Sequence, residues 1–576
     1  YIPPEFGWKA GGVLEVRSAA RTSEHWAGTT DLQFAADDTR ELSTVAGGPL
    51  GAATALTAGI TRQSSSRFLD PVHPGNLHND GTAWSGGAQI GWSVSPASTI
   101  TAVASVGRSD FDVPHGEDQE RAGQDQQQRV RQYAQSLSWQ RVWSGRTVSQ
   151  VAEYFRRGSA AVDGSASDTP LFVHTNRSLD RAGLLASVSH HRGRHLFKAG
   201  GEMSFLRLRE DFLFAITDPE EAEAADLSDA VLEFTLDDPF RFHGNASPSL
   251  FSIFAQDSIR VSDRLTVDAG VRVDWSRLLA HRTQVSPRFG ATYFLPRTAT
   301  TLRSSVGRFF QPPQPENLLL SSSDEAWQLS PFRDETGGGA PLEPERQTAF
   351  EVGINQPLTG ALRLDVAYWH RRMKHVSDPN VFFGTTVIFP NAVARGRASG
   401  LEVRMELPRY RGWSGYVSYA NSRVVQFGPI SGGLFLEEEV IEIGPGTAFT
   451  PDHDQRNVGA FGLTYDGGGG AFQAAFTGRH ESGTPLEVDE DEIDELRDRP
   501  GAEMVDFDRG RVKPRTVLDL TASTRLVRHA GVDLSLRAAV LNLTGTRRAY
   551  NFGNPFSGTH FGPGRTAQIG VRVAFR

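Results

Sequence analysis

The chain has 576 residues, a formal net charge of −9, 59 Gly and no Cys. Without Cys there are no disulfide frameworks, thiolate metal sites or cysteine nucleophiles, and the acidic balance argues against nucleic acid as a partner, since that requires clustered Lys and Arg. A mean hydropathy of −0.36 looks soluble, and no stretch approaches the ~18 consecutive apolar residues of a membrane helix, but a barrel strand needs apolar residues on one face only, which dilutes any windowed signal.

Tyr1 is not a start Met and no basic-then-apolar leader follows it, so the chain reads as processed or truncated. The first strand is expected near Trp26 to Ala36, with tight connections around Asp37-Asp38 and Gly47-Gly48-Pro49. Brief turns follow at Pro96-Ala97, Ser144-Gly145, Arg192-Gly193, Ser262, Arg297-Thr298, Leu358-Thr359, Arg409-Tyr410, Gly467–Gly470 and His529-Ala530. The intervening connections are mostly longer: Ser66 to Ala83, Phe111 to Gln127, Ser159 to Ser178, Arg209 to Pro248, Phe310 to Glu343, His375 to Arg397, Gln426 to Pro451, Glu481 to Val512 and Thr544 to Pro563, with a shorter one near Ala280 to Arg282.

Between these breaks the residues alternate. Leu265, Val267, Ala269, Val271, Val273 and Trp275 oppose Arg264, Thr266, Asp268, Gly270, Arg272 and Asp274. The same split recurs at Leu362, Leu364, Val366 and Tyr368, at Leu401, Val403 and Met405, at Leu518 and Leu520, and at Leu534 and Leu536. A helix would scatter the charges around its circumference. A soluble sandwich also alternates, but its strands usually run about five or six residues; many here reach ten or more, enough to cross a tilted bilayer. Eleven external connections and ten short turns predict an all-β, 22-stranded antiparallel transmembrane β-barrel over residues 21–576, ending in Thr566 to Phe575, with both termini periplasmic.

Motifs for bond-making chemistry are missing: there is no His-Glu-x-x-His, no Gly-x-Ser-x-Gly and no phosphate-cradling Gly-Lys-Ser/Thr loop, so no enzyme is expected. His190, His191 and His195 flank a short turn without a convincing carboxylate partner and read as a solvated turn. Acidic runs fall in long loops: Asp218, Glu220, Glu221 and Glu223; Glu437, Glu438, Glu439 and Glu442; and Glu487 to Glu495. Within the last, Asp489, Asp491 and Asp494 are candidate Ca²⁺ ligands. Their spacing lacks the EF-hand glycine, so the plainer reading is a self-repelling solvated loop and no cofactor. Trp92, Trp143, Trp413 and Tyr416 suit interfacial girdles or the lumen wall. Phe309, Phe310, Gln311, Glu316 and Asn317, at the opening of a long loop, are candidates for first capture of a solute.

Several stretches resemble the TonB-dependent outer-membrane receptors. Pro4-Glu5-Phe6-Gly7-Trp8-Lys9-Ala10-Gly11-Gly12-Val13-Leu14-Glu15-Val16 resembles the last plug strand of that family; residues 1–20 are accordingly expected to be the end of a plug and a linker. Gly307-Arg308-Phe309-Phe310-Gln311-Pro312-Pro313 resembles the family's mid-barrel segment. Pro451-Asp452-His453-Asp454-Gln455-Arg456-Asn457 resembles the polar run before a late strand, and Leu541-Asn542-Leu543 with Gly562-Pro563-Gly564-Arg565 resembles the last hairpin. The loop composition is similar to that of receptors with an extra carboxypeptidase-regulatory-like domain ahead of the plug.

The resemblance implies energy-coupled uptake of a scarce solute, such as a siderophore, vitamin, oligosaccharide or peptide, through the outer membrane. It implies as partners outer-membrane lipid, a TonB-type energy-transducing complex reached through the N-terminal region, and the barrel-assembly machinery, which would read Phe575 although Arg576 follows it. A monomer is expected. The alternative is a passive or adhesive outer-membrane barrel whose loops bind partners without energy input.

Overall fold

Along the strand Leu265–Arg277 the alternation places apolar and polar side chains on opposite faces, and in the computed structural model the apolar face is the uncovered one. Val271 and Trp275 are 39% and 37% exposed, whereas Arg272 and Asp274 are 0% and 1% exposed. The apolar row continues sideways, Ile253 lying opposite Val273 and Val273 opposite Val285. A sheet with grease outside and charge inside is the inverse of a water-soluble sandwich and matches a wall facing lipid. The structure describes the chain except residues 16–24, 225–226, 228, 330–341, 383–384, 435–442, 487–492, 555–557 and 576.

One sheet of 24 strands closes on itself: Ala27–Ala35 pairs with Thr566–Phe575, from Gly28 opposite Phe575 to Ala35 opposite Gln568. Two of the 24 add no staves. Phe240–Ala246 pairs with the upper half of His195–Ile216 and leads into Ser249–Arg260, which pairs with the lower half of that strand. Ala448–Phe449 is a two-residue piece against Trp413–Gly432. The wall is therefore a closed, antiparallel, 22-stranded barrel. Among the described residues no helix is long and apolar enough to cross a membrane; the strands span it.

Two expected turns move. Gly47-Gly48-Pro49 lies inside the strand Arg40–Gly51, and the turn is Ala52-Ala53, before Thr54–Ser65. The glycines serve packing: a Cβ on Gly48 would stand 2.7 Å from the Trp26 ring, and a register shift follows between Pro49 and Gly51. The turn expected at Arg409-Tyr410 falls at Arg411-Gly412, where both residues have positive φ, 50° and 87°, as a tight two-residue hairpin requires.

Two expected long loops are largely strand, and a third is strand at its two ends. Thr147–Asp163 and Leu171–Arg192 consume most of Ser159 to Ser178; Arg363–Val381 and Ile388–Tyr410 consume most of His375 to Arg397; and His195–Ile216 runs well into Arg209 to Pro248. The extensions carry alternating apolar residues that pack together: Val162, Val173, Phe212, Phe214, Phe240, Phe382 and Phe389 share one buried cluster with Leu320 and Leu329. Phe212 meets Phe382 and Phe389 at ring-centroid distances of 5.2 and 5.5 Å. This cap ties loops from four regions of sequence together and so fixes the segment that follows Gln311.

Candidate functional site

Residues 1–15 contain no strand. The β-run expected after Gly11-Gly12 therefore does not form over its described part, residues 13–15, where no strand among the described residues supplies a ladder for its backbone. Instead the segment is tied to the inner wall by its own carbonyls. Arg288 Nη1 donates to the carbonyls of Pro3 and Phe6, both at 2.8 Å, and of Ile2 at 3.3 Å. Arg272 Nη1 lies 3.4 Å from the carbonyls of Pro4 and Glu5. Arg272 is itself held by Asp274 and Ser252, each at 2.7 Å, so its charge is paired where water is excluded.

Side chains complete the clamp. Glu5 pairs with Lys198, and its N–H donates to Gln256 Oε1 at 3.1 Å. Arg181 and Arg272 both lie 5.4 Å from the Trp8 ring. Enlarging Gly7 would displace the Arg272 guanidinium, since a Cβ there would stand 2.0 Å from it. The Ala10 N–H donates to Gln311 Oε1 at 3.1 Å, and Arg371 Nη2 donates to the Gly11 carbonyl at 3.1 Å.

Two cavities lie along the lumen. One, of about 410 Å³, is bounded by Tyr1, Arg288, Arg303, Phe309, Trp369 and Glu402. The other, of about 440 Å³, lies toward the long loops and is bounded by Gln128, Arg177, Leu208, Glu210, Glu316 and Asn317. Of the five expected capture residues, Phe309 bounds the first cavity and Glu316 and Asn317 the second, while Phe310 and Gln311 bound neither. Phe309 lies 4.4 Å under the Arg288 guanidinium, and Gln311 holds Ala10. Phe310 is buried, 1% exposed. Glu316 is ion-paired with Arg177. Asn317 is buried with a φ of 48°, and its Nδ2 donates to the Ile388 carbonyl at 2.8 Å. Buried Glu210 accepts the N–H groups of Leu319 and Leu320 at 3.1 and 3.0 Å, which anchors the turn beyond Asn317.

The family profile described as TonB dependent receptor-like, beta-barrel matches residues 61–543. The chain belongs to the TonB-dependent receptor family. Curated proteins offer no sequence match. Solved structures similar to the receptor include the copper transporter OprC, 14% identical, at a TM-score of 0.68 over 97% of this chain and 82% of that one. The ferric yersiniabactin uptake receptor FyuA from Yersinia pestis is 13% identical, with a TM-score of 0.68 over 96% and 81%. The ferripyoverdine receptor of the outer membrane of Pseudomonas aeruginosa is 13% identical, with a TM-score of 0.66 over 96% and 72%. At such identities the likeness is one of fold. Family and fold make the receptor an integral outer-membrane barrel of the transport class.

The receptor's remaining sequence candidates scatter. Asp489 and Asp491 lie outside the described residues, as do Glu437, Glu438, Glu439 and Glu442. Asp494 is exposed and 3.6 Å from Arg497. His195 has a carboxylate after all, Asp257 at 2.7 Å, while His190 contacts Thr147 at 2.9 Å. Among the described residues the ligand-type groups that converge are His78, Asp112 and Asp125, within 4.8 Å of one another. The His115 ring stacks on that of His78 at 4.8 Å. Trp92, Trp143 and Trp413 are exposed on the outer wall, whereas Tyr416 lies 4.6 Å from Arg404 on the opposite face. Phe575 sits at the seam, opposite Gly28. Arg177, Glu210, Arg272 and Arg288 carry no sequence signal, since each is one more polar residue on an alternating strand.

Proposed function

We propose that the receptor takes up a scarce solute, a siderophore, vitamin, oligosaccharide or peptide, into the periplasm at the expense of a TonB-type complex. In this reading the long loops face outward, both termini face the periplasm, and residues 1–20 end a plug whose earlier part contacts that complex. The barrel-assembly machinery reads Phe575. Solute is captured on the segment Phe309–Asn317: Glu316 and Asn317 meet it in the cavity toward the long loops, and Phe309, Phe310 and Gln311 pass the change to the lumen segment.

The observation that supports this reading is the continuity of that segment. Gln311 grips Ala10 while, five residues on, Glu316 is paired with Arg177 in the outer cavity. A solute that separates Arg177 from Glu316 alters a chain running directly to the clamp on residues 1–11. Growth and uptake of a deletion strain are compared with wild type across the four solute classes, with and without the proton-motive force. Loss confined to one class and dependent on energy supports the proposal; uptake that persists without energy favours a passive barrel.

A further inference from the structure

Two neighbouring long loops meet through imidazoles and carboxylates. Residues 66–80 join the strands Thr54–Ser65 and Gly81–Ser95, and residues 113–126 join Ser98–Asp112 and Gln127–Ser144. Two contacts cross between the loops: His73 Nε2 lies 3.5 Å from Glu117 Oε1, and His78 Nε2 lies 3.5 Å from Asp125 Oδ1. Asp112, at the end of its strand, brings a second carboxylate to the same place, so that one ligand-type atom from each of His78, Asp112 and Asp125 lies within 4.8 Å of the others. The backbone around His78 is fixed by its own loop. Buried Asn79 closes that loop by bonding both the N–H and the carbonyl of Leu69, each at 2.8 Å.

Protons alone do not satisfy this cluster. His78 Nε2 faces the carbonyl of Gln126 at 3.2 Å as well as Asp125, and a ring nitrogen carries at most one proton for these oxygens. His115 adds an unused lone pair. Its ring stacks on that of His78, with the planes 1° apart, and its Nε2 lies 2.7 Å from Glu120 Oε2. A carboxylate on one ring nitrogen holds the proton there and leaves the lone pair on the other. That other nitrogen, Nδ1, is buried without a hydrogen-bond partner, as a group waiting for an ion would be. Imidazole and carboxylate donors suit Zn²⁺ at about 2.0–2.2 Å, which sets tetrahedral neighbours about 3.3 Å apart. The 3.5 Å between His78 and Asp125 is close to that edge. Asp125, with a side chain 64% exposed, is free to turn and close the wider spacing to Asp112. Ca²⁺ would require about six to eight oxygens and no nitrogen.

We propose that His78, Asp112 and Asp125 bind a divalent transition ion of the Zn²⁺ type, with His115 Nδ1 as the fourth donor, and that the ion pins loop 66–80 to loop 113–126. Glu120 is a positioning residue that holds the His115 tautomer. The site uses no residue of the segment Phe309–Asn317, so it stands apart from the uptake reading.

The test uses the whole receptor in detergent, free of any polyhistidine tag and dialysed against chelator, with folding checked by heat-modifiable gel migration. The probes are Zn²⁺ and Ca²⁺ chlorides, read by calorimetry, and Co²⁺, read by its visible absorption. The expected result is one Zn²⁺ per chain, with affinity roughly tenfold or more lower in H78Q and in D112N and severalfold lower in E120Q. Co²⁺ should give the absorption of a four-coordinate ion, which Zn²⁺ abolishes. Zn²⁺ should also slow protease cleavage within residues 66–80 and 113–126 of the native receptor but not of H78Q. Should H78Q and D112N not fold, D125N, at an exposed side chain, is read the same way. Unchanged Zn²⁺ affinity in a folded H78Q, D112N or D125N variant, Ca²⁺ bound as tightly as Zn²⁺, or no Zn²⁺ bound by the native receptor overturns the proposal.

Discussion

Asp31 on the first strand accepts a 2.7 Å hydrogen bond from Nε of Arg572 on the last, and a second, at 3.2 Å, from Nη1 of Arg537. One carboxylate thus joins the two ends of the wall on its inner face. Asp31→Ala leaves two like charges facing each other at the seam. Because all three side chains retain some solvent contact, the expected loss is about 1 kcal/mol, read as a lower urea midpoint for loss of heat-modifiable migration. An unchanged midpoint would show the seam to be held by its backbone ladder alone.

Gly28 makes room for Phe575. A Cβ at Gly28 would stand 2.7 Å from that ring and 2.7 Å from the backbone carbonyl of Val45. The ring can turn but the carbonyl cannot, so Gly28→Val should cost roughly 1–3 kcal/mol by overpacking. The folded fraction recovered from refolding should fall. Removing the ring as well, in Gly28→Val with Phe575→Ala, should restore only part of it.

Arg288→Ala releases three carbonyls at once, those of Ile2, Pro3 and Phe6. Each lost charge-assisted bond is worth on the order of 1.5–3 kcal/mol before water replaces it. Protease cleavage within residues 1–15 should rise severalfold while the barrel stays intact. Arg288→Lys, which keeps the charge and loses the planar fork, should fall between the two.

The side chains of Arg548 and Glu481, which are ion-paired, are both 6% exposed, and the Arg548 guanidinium lies 3.9 Å from the Tyr550 ring centre. Arg548→Gln strands Glu481 with Arg479, 2.6 Å away, as its remaining cation, and should cost about 3–5 kcal/mol if the loss resembles other broken buried pairs. Hydrogen exchange should accelerate first in the hairpin Arg548–Tyr550 and His560–Gly562. The double variant E481Q/R548Q should recover much of the protection.

Glu343, in the long loop before the strand Glu345–Pro357, is held below the usual carboxyl range by the hydrogen bonds of Arg282, one of them at 2.6 Å, with Arg346 and His375 adding attraction against a smaller desolvation cost. A depressed carboxyl stabilises the fold above its ordinary value of about 4.3 and ceases to as pH falls through the lowered value. Protease sensitivity of this loop should be flat from neutral pH to about 5 and rise below about 4.3. Arg282→Gln should raise it across the range and shift the acid step toward higher pH.

The alternation of residues 264–275 was enough to predict a strand with one apolar face, and the spacing of turns such as Pro96-Ala97 and His529-Ala530 was enough to count the staves. Both are local properties: side-chain direction repeats every second residue, and a hairpin is specified by the few residues within it. Gly47-Gly48-Pro49 misled because glycine marks either a turn or a close approach. The Trp26 ring that decides between them lies about twenty residues away.

By itself, then, the amino-acid order determined the barrel: its class, its 22 strands, the polarity of its two faces and the asymmetry of its ends. Tertiary structure alone decided which charges meet. Arg288 reaches the carbonyl of Phe6 across 282 residues, and Arg177 reaches Glu316 from another quarter of the wall. A polar residue on an alternating strand carries the same local signal whether it faces water or a carboxylate. Its partner is set by the closure of the ring, and closure is a property of all the strands together.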